Sequence, residues 1–332
     1  MGTRGAWAQR TDTRINESLS RAAAMGTLLL PDGPTDSAAL RRRCKVGSVL
    51  EPLRGMFVRM DHWESLSANA KLLHMLRGVQ AKHPKWLFSH QTAAAVHGLP
   101  VASSLLECIH VCLPHTAHMR TVQPFNFHAV NGPVETVLGI RVTPICRTVL
   151  DCASTLSFRD GLAIADAALR YHRVDRGDLI CFVESNGKGK RGVRQARRVV
   201  RYADGRSESW GESAARALMI ELGFALPELQ VEIDLPPELG GPRRVDFLWV
   251  LSDGSYIIGE FDGMVKYRAP RVAQDDETLK ALVGERQRES RLTVMRAPIV
   301  RFTFDDLRNP ERFARLLDAF GVPRESCECA AA

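Results

Sequence analysis

The stretch Arg243–Gly263, RRVDFLWVLSDGSYIIGEFDG, has the pattern of a β-hairpin that carries acidic side chains. Two apolar runs, rich in aromatic and β-branched residues, flank the turn sequence Ser252–Gly254, and this arrangement predicts two antiparallel strands. Three acids lie inside those strands, namely Asp246, Glu260 and Asp262. Carboxylates are uncommon in strands and cost free energy to desolvate, so their presence in this hairpin points to a specific role.

The length of the turn decides whether these acids share one face of the sheet. With a three-residue loop and Gly254 in the left-handed conformation, Asp246 falls opposite Glu260. Asp262 then shares that face, because side chains alternate along a strand. Like charges that face each other destabilise a sheet unless a cation lies between them, and a divalent metal ion is the usual remedy. A two-residue loop would set Asp246 opposite Phe261 and disperse the cluster.

Length and composition limit the classes of protein to consider. A chain of 332 residues predicts two or three domains, and 45% apolar with 25% charged residues is ordinary for a globular protein. No apolar run approaches the ~20 residues of a membrane span, and the N-terminus lacks the apolar segment of a secretory signal. Eight cysteines in a chain of this length do not suggest a disulfide framework, so we expect reduced thiols in the cytoplasm. The net charge of +7 permits a polyanionic partner without requiring one.

The N-terminal part predicts a flexible tail over residues 1–20 and a winged helix-turn-helix over residues 21–65. A short capped helix over residues 35–47 is followed by two short strands around a turn in residues 48–58. In a winged helix-turn-helix the basic helix enters the DNA major groove and the wing rests on the backbone. The predicted DNA contacts are Arg41, Arg42, Arg43, Lys45 and Arg54. The alternative is a surface helix whose arginines are only solvated.

The middle of the chain, residues 66–185, predicts an α/β domain. Helices are expected over residues 66–82, 89–98, 144–155, 158–171 and 175–183, and strands near 107–113, 125–129 and 140–142. Ser89 is the expected N-cap of its helix, and Gly98 is the expected stop.

Residues 186–205 are predicted to form a basic linker helix. From Asn186 to Arg201 the chain carries seven lysines and arginines and no acid. A run of like charge this dense repels itself and favours binding to phosphate. The predicted nucleic-acid contacts are Arg191, Arg194 and Arg198. The alternative is a solvated linker surface.

The region 206–321 predicts one α/β domain, followed by a tail over residues 322–332. Its expected elements are a helix over 210–222, a strand over 229–235, the acidic hairpin, a charged helix over 277–290, strands over 293–295 and 299–304, and a helix over 305–320.

The order of candidate residues in this region is Glu212 on a helix, Asp246 in a strand, Glu260 and Asp262 in the next strand, and then Lys266. This order resembles the PD-(D/E)xK nuclease superfamily and, more closely, the Vsr-like endonuclease-related family of unknown function found in bacteria. The resemblance covers about residues 206–321. The motifs that carry it are Gly211–Ser213, Arg244–Phe247, Glu260–Gly263, Lys266-Tyr267 and Glu285–Glu289.

The resemblance implies a restriction-endonuclease-like fold and metal-dependent cleavage of DNA. Asp246 and Glu260 would ligate Mg²⁺ or Mn²⁺, with Glu212 completing the acidic set. The metal would generate hydroxide for attack on a phosphodiester and neutralise charge on the leaving oxygen. Asp262 stands where the superfamily usually has lysine, and a carboxylate cannot supply positive charge to the phosphate. Lys266 is the candidate replacement for that cation.

A structural alternative remains open for the hairpin acids. They would then be neutralised by salt bridges and bind no metal. The arginines available for this are Arg216, Arg244 and Arg288.

The first two-thirds of the chain resembles AbiEi-type antitoxin proteins. The segments that carry this resemblance are residues 40–58, Ser89–Pro100 (SHQTAAAVHGLP) and Val142–Asp151 (VTPICRTVLD). The resemblance implies a winged-helix DNA-binding domain, a second α/β domain, repression of the protein's own operon, and a cognate toxin protein as partner. A non-catalytic antitoxin-like repressor with a degenerate nuclease fold is therefore the alternative to a nuclease.

One segment that contains cysteines and histidines offers candidate ligands for zinc. Thiolates and imidazoles are zinc ligands, and the residues concerned are Cys108, Cys112, His115 and His118. Residues 109–113 alternate as a strand, however, and the spacing is not that of a known zinc finger. We therefore interpret the segment as a strand. His90 and His97 lie seven positions apart on one predicted helix and are interpreted as packing or capping groups.

Overall fold

The computed structural model describes residues 2–113, 123–129, 132–234, 241–263 and 297–324, with the backbone alone for residues 2–10. These residues form a mixed α/β protein with two units, Met1–Cys152 and Ala153–Ala332. In the described ranges no helix has both the length and the apolar character needed to cross a membrane.

The first unit begins with helices packed against a small hairpin. Its elements are α1 (Gly2–Ala24), α2 (Pro34–Lys45), β1 (Val49–Leu53), β2 (Met56–Arg59) and α3 (Met60–Ser65). Strands β1 and β2 pair antiparallel, and Gly55, with φ of 77°, makes the turn between them. The predicted helix and hairpin are therefore present.

The prediction of a flexible tail over residues 1–20 is wrong. Helix α1 begins at Gly2, and its Ile15 and Leu19 are buried in one cluster with Leu40 and Phe57. Ile15 and Leu19 are four positions apart, so they lie on the same side of the helix and give it an apolar stripe. Because most of the surrounding residues are polar, the apolar spacing of this helix is hard to recognise in the sequence.

The rest of the first unit is built on a sheet whose described strands have the order β5-β4-β3-β7-β6. Its elements are α4 (Ala68–Lys82), β3 (Leu87–Phe88), α5 (His90–Val96), a 3-10 turn (Ser103–Glu107), β4 (Ile109–Leu113), β5 (Phe125–Ala129), β6 (Glu135–Val137), β7 (Ile140–Val142) and α6 (Ile145–Thr155), the last of which spans the division between the units. Strand β4 pairs in parallel with β5 and antiparallel with β3. Ser89 is the N-cap of α5, as predicted.

The second unit combines helices with a mixed sheet of order β11-β10-β9-β8. Its elements are α7 (Phe158–His172), α8 (Arg176–Asn186), α9 (Val193–Tyr202), α10 (Trp210–Leu222), β8 (Glu228–Ile233), β9 (Arg243–Val250), β10 (Tyr256–Asp262), β11 (Ile299–Thr303), α12 (Phe304–Leu307) and α13 (Pro310–Ala319). Strands β8, β9 and β10 are antiparallel, whereas β11 is parallel to β10. The helix predicted over residues 277–290 and the strand over 293–295 lie outside the described residues.

The predicted domain boundary near residue 205 is wrong. Asp166 on α7 is buried and accepts hydrogen bonds from Ser213 Oγ at 2.7 Å and Arg216 Nη1 at 2.9 Å, both on α10. It also accepts one from the backbone N–H of Asp204 at 2.8 Å. A buried charge needs such partners, so α7 and α10 belong to one unit.

The predicted linker helix over residues 186–205 is likewise part of the second unit. Helix α9 buries Ala196, Val199 and Val200 and so presents an apolar face to its neighbours. Three of its arginines, Arg194, Arg198 and Arg201, are exposed. The segment is therefore an integral amphipathic helix with a basic outer face.

The end of the chain also differs from the prediction. The helix expected over residues 305–320 is divided into α12 and α13, because the side chain of Asn309 caps α13 by accepting a hydrogen bond from the N–H of Arg312 at 3.0 Å. Val322 lies in the predicted tail over residues 322–332, but its side chain is buried in the core of the second unit. The described part of residues 322–332 is thus packed structure.

Candidate functional site

The hairpin of β9 and β10 has the three-residue loop that aligns its acids. The N–H of Leu251 donates to the carbonyl of Ser255 at 2.8 Å, and Gly254 is left-handed with φ of 81°. The pairing runs down to Gly259 opposite Phe247. These four pairs follow the register that a three-residue loop predicts. Continued by one position, that register would set Asp246 opposite Glu260.

Asp246 is held by its neighbours in the sheet. Its Oδ2 accepts a hydrogen bond from the backbone N–H of Phe261 at 2.9 Å. Gln230 on β8 lies opposite Asp246 in the β8–β9 register, and its Nε2 donates to Asp246 Oδ1 at 3.3 Å. The same Nε2 donates to Glu212 Oε2 at 2.9 Å. Gln230 thus links the acid on the strand to the acid on the helix.

The backbone of Gln230 is unusual for a residue in a strand. Its φ is 54°, in the left-handed region that residues with a Cβ seldom adopt. Such a conformation costs about 1–3 kcal/mol and persists only where the surroundings impose it. The strained residue in β8 is therefore the one that joins Glu212 to Asp246.

Glu212 is held by hydrogen bonds at the start of its own helix. Ser209, the N-cap of α10, accepts a hydrogen bond from the N–H of Glu212 at 3.1 Å and donates its hydroxyl to Glu212 Oε1 at 2.8 Å. The backbone N–H of Glu208 donates to Glu212 Oε2 at 2.8 Å. Burial raises the pKa of Glu212, and the charge of Asp246 acts in the same direction. Both oxygens of this carboxylate already accept hydrogen bonds from the protein.

Gly211 allows α10 to approach the hairpin closely. A Cβ placed on Gly211 would lie 2.0 Å from Cε1 of Phe261 on β10. The absence of a side chain therefore lets the first turn of α10 lie against the strand that carries the acids. This contact sets Glu212 beside the hairpin.

The remaining residues of the predicted nuclease set are distributed along the sheet. Glu260 lies beside Arg301 of β11 in the parallel register, and Asp262 lies beside Thr303. Lys266, Arg288 and the Glu285–Glu289 motif fall outside the described residues. Among the residues that are described, no three of the acids bring their oxygens within 4.8 Å of one another.

Two of the arginines considered as counter-ions for the hairpin acids are engaged elsewhere. Arg216 forms its ion pair with Asp166 at 2.9 Å, both side chains being almost fully buried. Arg244 pairs with Glu208 at 2.8 Å. Burial raises the pKa of Asp166 to about 6, although Arg216 acts against that shift. The ion pairs of these two arginines are therefore formed with acids outside the hairpin.

The basic residues predicted to bind DNA differ in their surroundings. Arg42, Lys45 and Arg54 are exposed, as is Arg41, whose Nε lies 3.9 Å from Glu51. Arg43 is instead directed to helix α1, where it donates to side-chain oxygens at 2.6 Å and 2.9 Å. Its acceptors are Asp12 and Asn16. Arg43 therefore links α2 to α1, and its role in binding DNA stays a prediction.

The basic residues around α9 form an outer face. Arg191, Arg194 and Arg198 are exposed. The guanidinium of Arg198 also lies 4.3 Å from the ring centroid of Phe158. The three residues predicted to bind nucleic acid in this segment thus all reach the surface.

A second candidate site lies in the first unit and consists of three histidines. His90, His110 and His128 each offer a ring nitrogen, and these atoms lie within 4.8 Å of one another. His110 Nδ1 and His128 Nε2 are 2.8 Å apart. The ring centroids of His90 and His128 are 3.9 Å apart. The interpretation of His90 as a packing or capping group therefore misses its place in this cluster.

The topology of the sheet explains why these histidines meet. His110 lies in β4 and His128 in the neighbouring parallel strand β5. His90 begins α5 directly after β3, and the N–H of Ser89 donates to the carbonyl of His110 at 3.1 Å. His90 has a left-handed φ of 50°. The parallel pairing of β4 with β5 is long-range, and the sequence carries no local signal for it.

Two of the three imidazoles have pKa values below the ordinary value for histidine. Burial lowers the pKa of His110 to about 4, and the charge of His128 acts in the same direction. Burial also lowers the pKa of His128, with a further contribution from Arg147. Neutral imidazole is the form that binds metal ions.

The other cysteines and histidines singled out in the sequence do not belong to this three-histidine cluster. His97 Nε2 lies 2.8 Å from the carbonyl oxygen of Thr143, which agrees with the packing role predicted for it. Cys112 is buried in β4 opposite His128. His115 and His118 lie outside the described residues.

Comparison with known protein families and curated proteins gives one group of relatives. No family model matches the chain. It is 32% identical over 232 residues to the uncharacterized protein MT2308 of Mycobacterium tuberculosis (strain CDC 1551 / Oshkosh), a match that covers 68% of this chain and 79% of the relative. The uncharacterized protein Rv2248 of Mycobacterium tuberculosis (strain ATCC 25618 / H37Rv) matches with the same identity and coverage. This chain belongs to the same family as these two mycobacterial proteins.

Proposed function

We propose that this protein binds DNA and that its second unit cleaves phosphodiester bonds in a Mg²⁺-dependent reaction. The observation that carries the proposal is the link from Glu212 through Gln230 to Asp246, with hydrogen bonds of 2.9 Å and 3.3 Å. Continued by one position past Gly259 and Phe247, the hairpin register would bring Glu260 opposite Asp246. An acid-bearing helix followed by an acid-bearing hairpin is also what the resemblance to PD-(D/E)xK nucleases implies.

The donor chemistry of the hairpin fits Mg²⁺. This ion prefers oxygen ligands and is usually bound by one or two carboxylates together with waters and substrate phosphates. Asp246 and Glu260 would hold it. When bound, Mg²⁺ supplies an activated water and neutralises negative charge on the phosphate oxygens.

Glu212 would act as a positioning residue for Asp246. Its oxygens accept hydrogen bonds from Ser209, Glu208 and Gln230. These bonds hold Gln230 against Asp246, while the N–H of Phe261 fixes the other oxygen of Asp246. The protein thereby orients the carboxylate that would bind the metal.

Cleavage is tested with the full chain, supercoiled plasmid DNA and MgCl₂. We expect nicking that depends on Mg²⁺ and is reduced about 10–100-fold in Asp246→Asn, because the substitution removes a charged oxygen ligand. Asp253→Asn is the matched control, since Asp253 lies in the exposed loop of the same hairpin. Absence of Mg²⁺-dependent nicking by the wild type, or equal nicking by Asp246→Asn, contradicts the proposal.

DNA binding is supported by the exposed basic residues of α2, the β1–β2 turn and α9. Each phosphate contact that is lost reduces the dependence of log K on log salt by about 1. We expect this reduction for Arg42→Ala and for Arg194→Ala, measured by fluorescence anisotropy with duplex DNA over a salt series. Arg315→Ala, an exposed residue on α13, is the control and should leave the slope unchanged. Unchanged slopes for both test variants would remove these residues from the proposed interface.

A second candidate function is that of a non-catalytic, antitoxin-like repressor with a cognate toxin as partner. Two observations favour it. Asp262 occupies the position where the superfamily usually has a cation, and the two oxygens of Glu212 are engaged by hydrogen bonds within the protein. This function predicts DNA binding with the salt dependence above and no nicking by the wild type at any Mg²⁺ concentration.

A further inference from the structure

The three-histidine cluster of the first unit plays no part in the proposed cleavage. Its residues belong to β4, β5 and the start of α5, and their ligand atoms converge within 4.8 Å. His90 and His110 are only 6% and 7% exposed. Convergence and burial of this kind define a small polar site enclosed by the protein.

The separations suit a tetrahedral metal ion. Zinc binds imidazole nitrogen at about 2.0–2.1 Å, so two ligand nitrogens on one tetrahedral ion lie about 3.3 Å apart. His110 Nδ1 and His128 Nε2 are 2.8 Å apart, a hydrogen-bond contact that a bound ion would replace, and the ligand atoms of the cluster all lie within 4.8 Å of one another. We propose that His90, His110 and His128 bind a divalent transition-metal ion, with Zn²⁺ as the preferred ion.

The surroundings of His90 support a binding role. The hydroxyl of Ser89 lies 2.9 Å from His90 Nδ1, and a group that engages the second nitrogen of a ligating imidazole fixes the ring orientation. The left-handed backbone of His90 costs about 1–3 kcal/mol, and strain of this kind concentrates at ligand-binding positions. Both features hold the ring against the sheet.

The donor set selects the class of metal. Imidazole suits Zn²⁺, Cu²⁺, Ni²⁺ and Fe²⁺, whereas Mg²⁺ and Ca²⁺ take oxygen ligands. The cluster consists of imidazoles and includes no carboxylate. Three imidazoles would fill three positions of a tetrahedral ion. This site is therefore distinct in chemistry from the acidic site of the second unit, and its test is independent of the nuclease assay.

The test uses the untagged full-length chain, stripped of metal with a chelator and titrated with ZnCl₂ in a calorimeter. We expect one Zn²⁺ per chain and a Kd at least tenfold weaker for His128→Ala, because a ligand is removed. His128 is the chosen position because it is less buried than its two partners. His62→Ala is the matched control, since His62 and His74 form another close histidine pair, with their Nε2 atoms 3.1 Å apart. It should bind Zn²⁺ as the wild type does.

The wild type alone provides a second measurement that needs no variant. The Co²⁺ form should show the intense visible absorption of a tetrahedral site, and X-ray absorption of the Zn²⁺ form should show imidazole nitrogens near 2.0 Å. A wild type that binds no Zn²⁺, a first shell made mainly of sulfur, or equal weakening by His62→Ala and His128→Ala would each overturn the proposal. Circular dichroism of both variants confirms that they are folded.

Discussion

The acidic hairpin of the second unit and the histidine cluster of the first unit differ in what the protein itself does with their polar atoms. Glu212 and Asp246 are engaged by donors from Ser209, Gln230 and the backbone of Phe261. The histidines instead contact one another and Ser89, with His110 Nδ1 2.8 Å from His128 Nε2 and the Ser89 hydroxyl 2.9 Å from His90 Nδ1. The two sites therefore differ in the partners of their polar atoms, because the acids bind donors from other residues whereas the imidazoles converge on one another.

The largest expected effect concerns Asp166, the buried acid that forms an ion pair with Arg216. Asp166→Ala should lower the free energy of unfolding by about 3–5 kcal/mol, because Arg216 would stay buried without its counter-charge. The measurement is urea denaturation followed by circular dichroism. Asp318→Ala, which breaks the exposed pair with Arg324, should cost about 0–1 kcal/mol. If both variants lost the same free energy of unfolding, the buried ion pair of Asp166 with Arg216 would not stabilise the unit more than an exposed pair does.

The next effect tests the histidine cluster as a metal site. At a free Zn²⁺ concentration of one hundred times Kd, the wild type should gain about 2.7 kcal/mol of stability, since the ion binds only the folded protein. The gain is measured as a shift of the denaturation midpoint. It should fall to about 1.4 kcal/mol or less in His128→Ala, whose Kd is expected to be at least tenfold weaker, and it should be retained in His62→Ala. MgCl₂ at the same concentration should give no such gain in any of these proteins, and a similar gain with Mg²⁺ would remove the distinction between the two sites.

A smaller effect tests how closely α10 lies on the hairpin. Gly211→Ala should lower stability by about 1–3 kcal/mol, because the added methyl group would overlap the ring of Phe261. Zn²⁺ binding by the first unit should be unaffected. Gly263→Ala is the control, since a Cβ at Gly263 meets no atom within 4 Å in the described structure, and it should stay within about 0.5 kcal/mol of the wild type.

The smallest effect separates the structural role of Glu212 at the start of α10 from any role in cleavage. Glu212→Gln should cost about 1 kcal/mol, because the amide cannot accept all the hydrogen bonds that the carboxylate receives. Glu221→Gln, at the exposed end of the same helix, should change stability by less than about 0.5 kcal/mol. Nicking that falls in Glu212→Gln by more than the unfolded fraction explains would support its positioning role. A stability equal to that of Glu221→Gln would contradict this structural role.

The features predicted correctly from the sequence have local causes. The hairpin register follows from the loop Ser252–Gly254, whose glycine supplies the left-handed turn. The bounds of α10 follow from Ser209 at its N-cap and Gly223, with φ of 72°, after its last turn. In each case the signal lies within a few residues of the structure it determines.

The features that were missed depend on contacts between distant residues. The three histidines of the cluster meet because β4 pairs in parallel with β5. No local sequence pattern in either strand predicts this pairing. The second unit extends back to α7 because one carboxylate, Asp166, receives donors from α10. Sequence periodicity describes which face of an element is apolar, and it leaves open which element that face will meet.

The parallel pairing of β11 with β10 has a consequence for the order in which the second unit folds. Strands β8, β9 and β10 follow one another as antiparallel neighbours, whereas Ile258 must find Ile299 far along the chain. Contacts at such sequence separation form late, because closing a long loop costs conformational entropy. The strand that carries Glu260 is therefore an open sheet edge until β11 arrives. During synthesis that edge is the place where we expect two copies of the chain to associate wrongly.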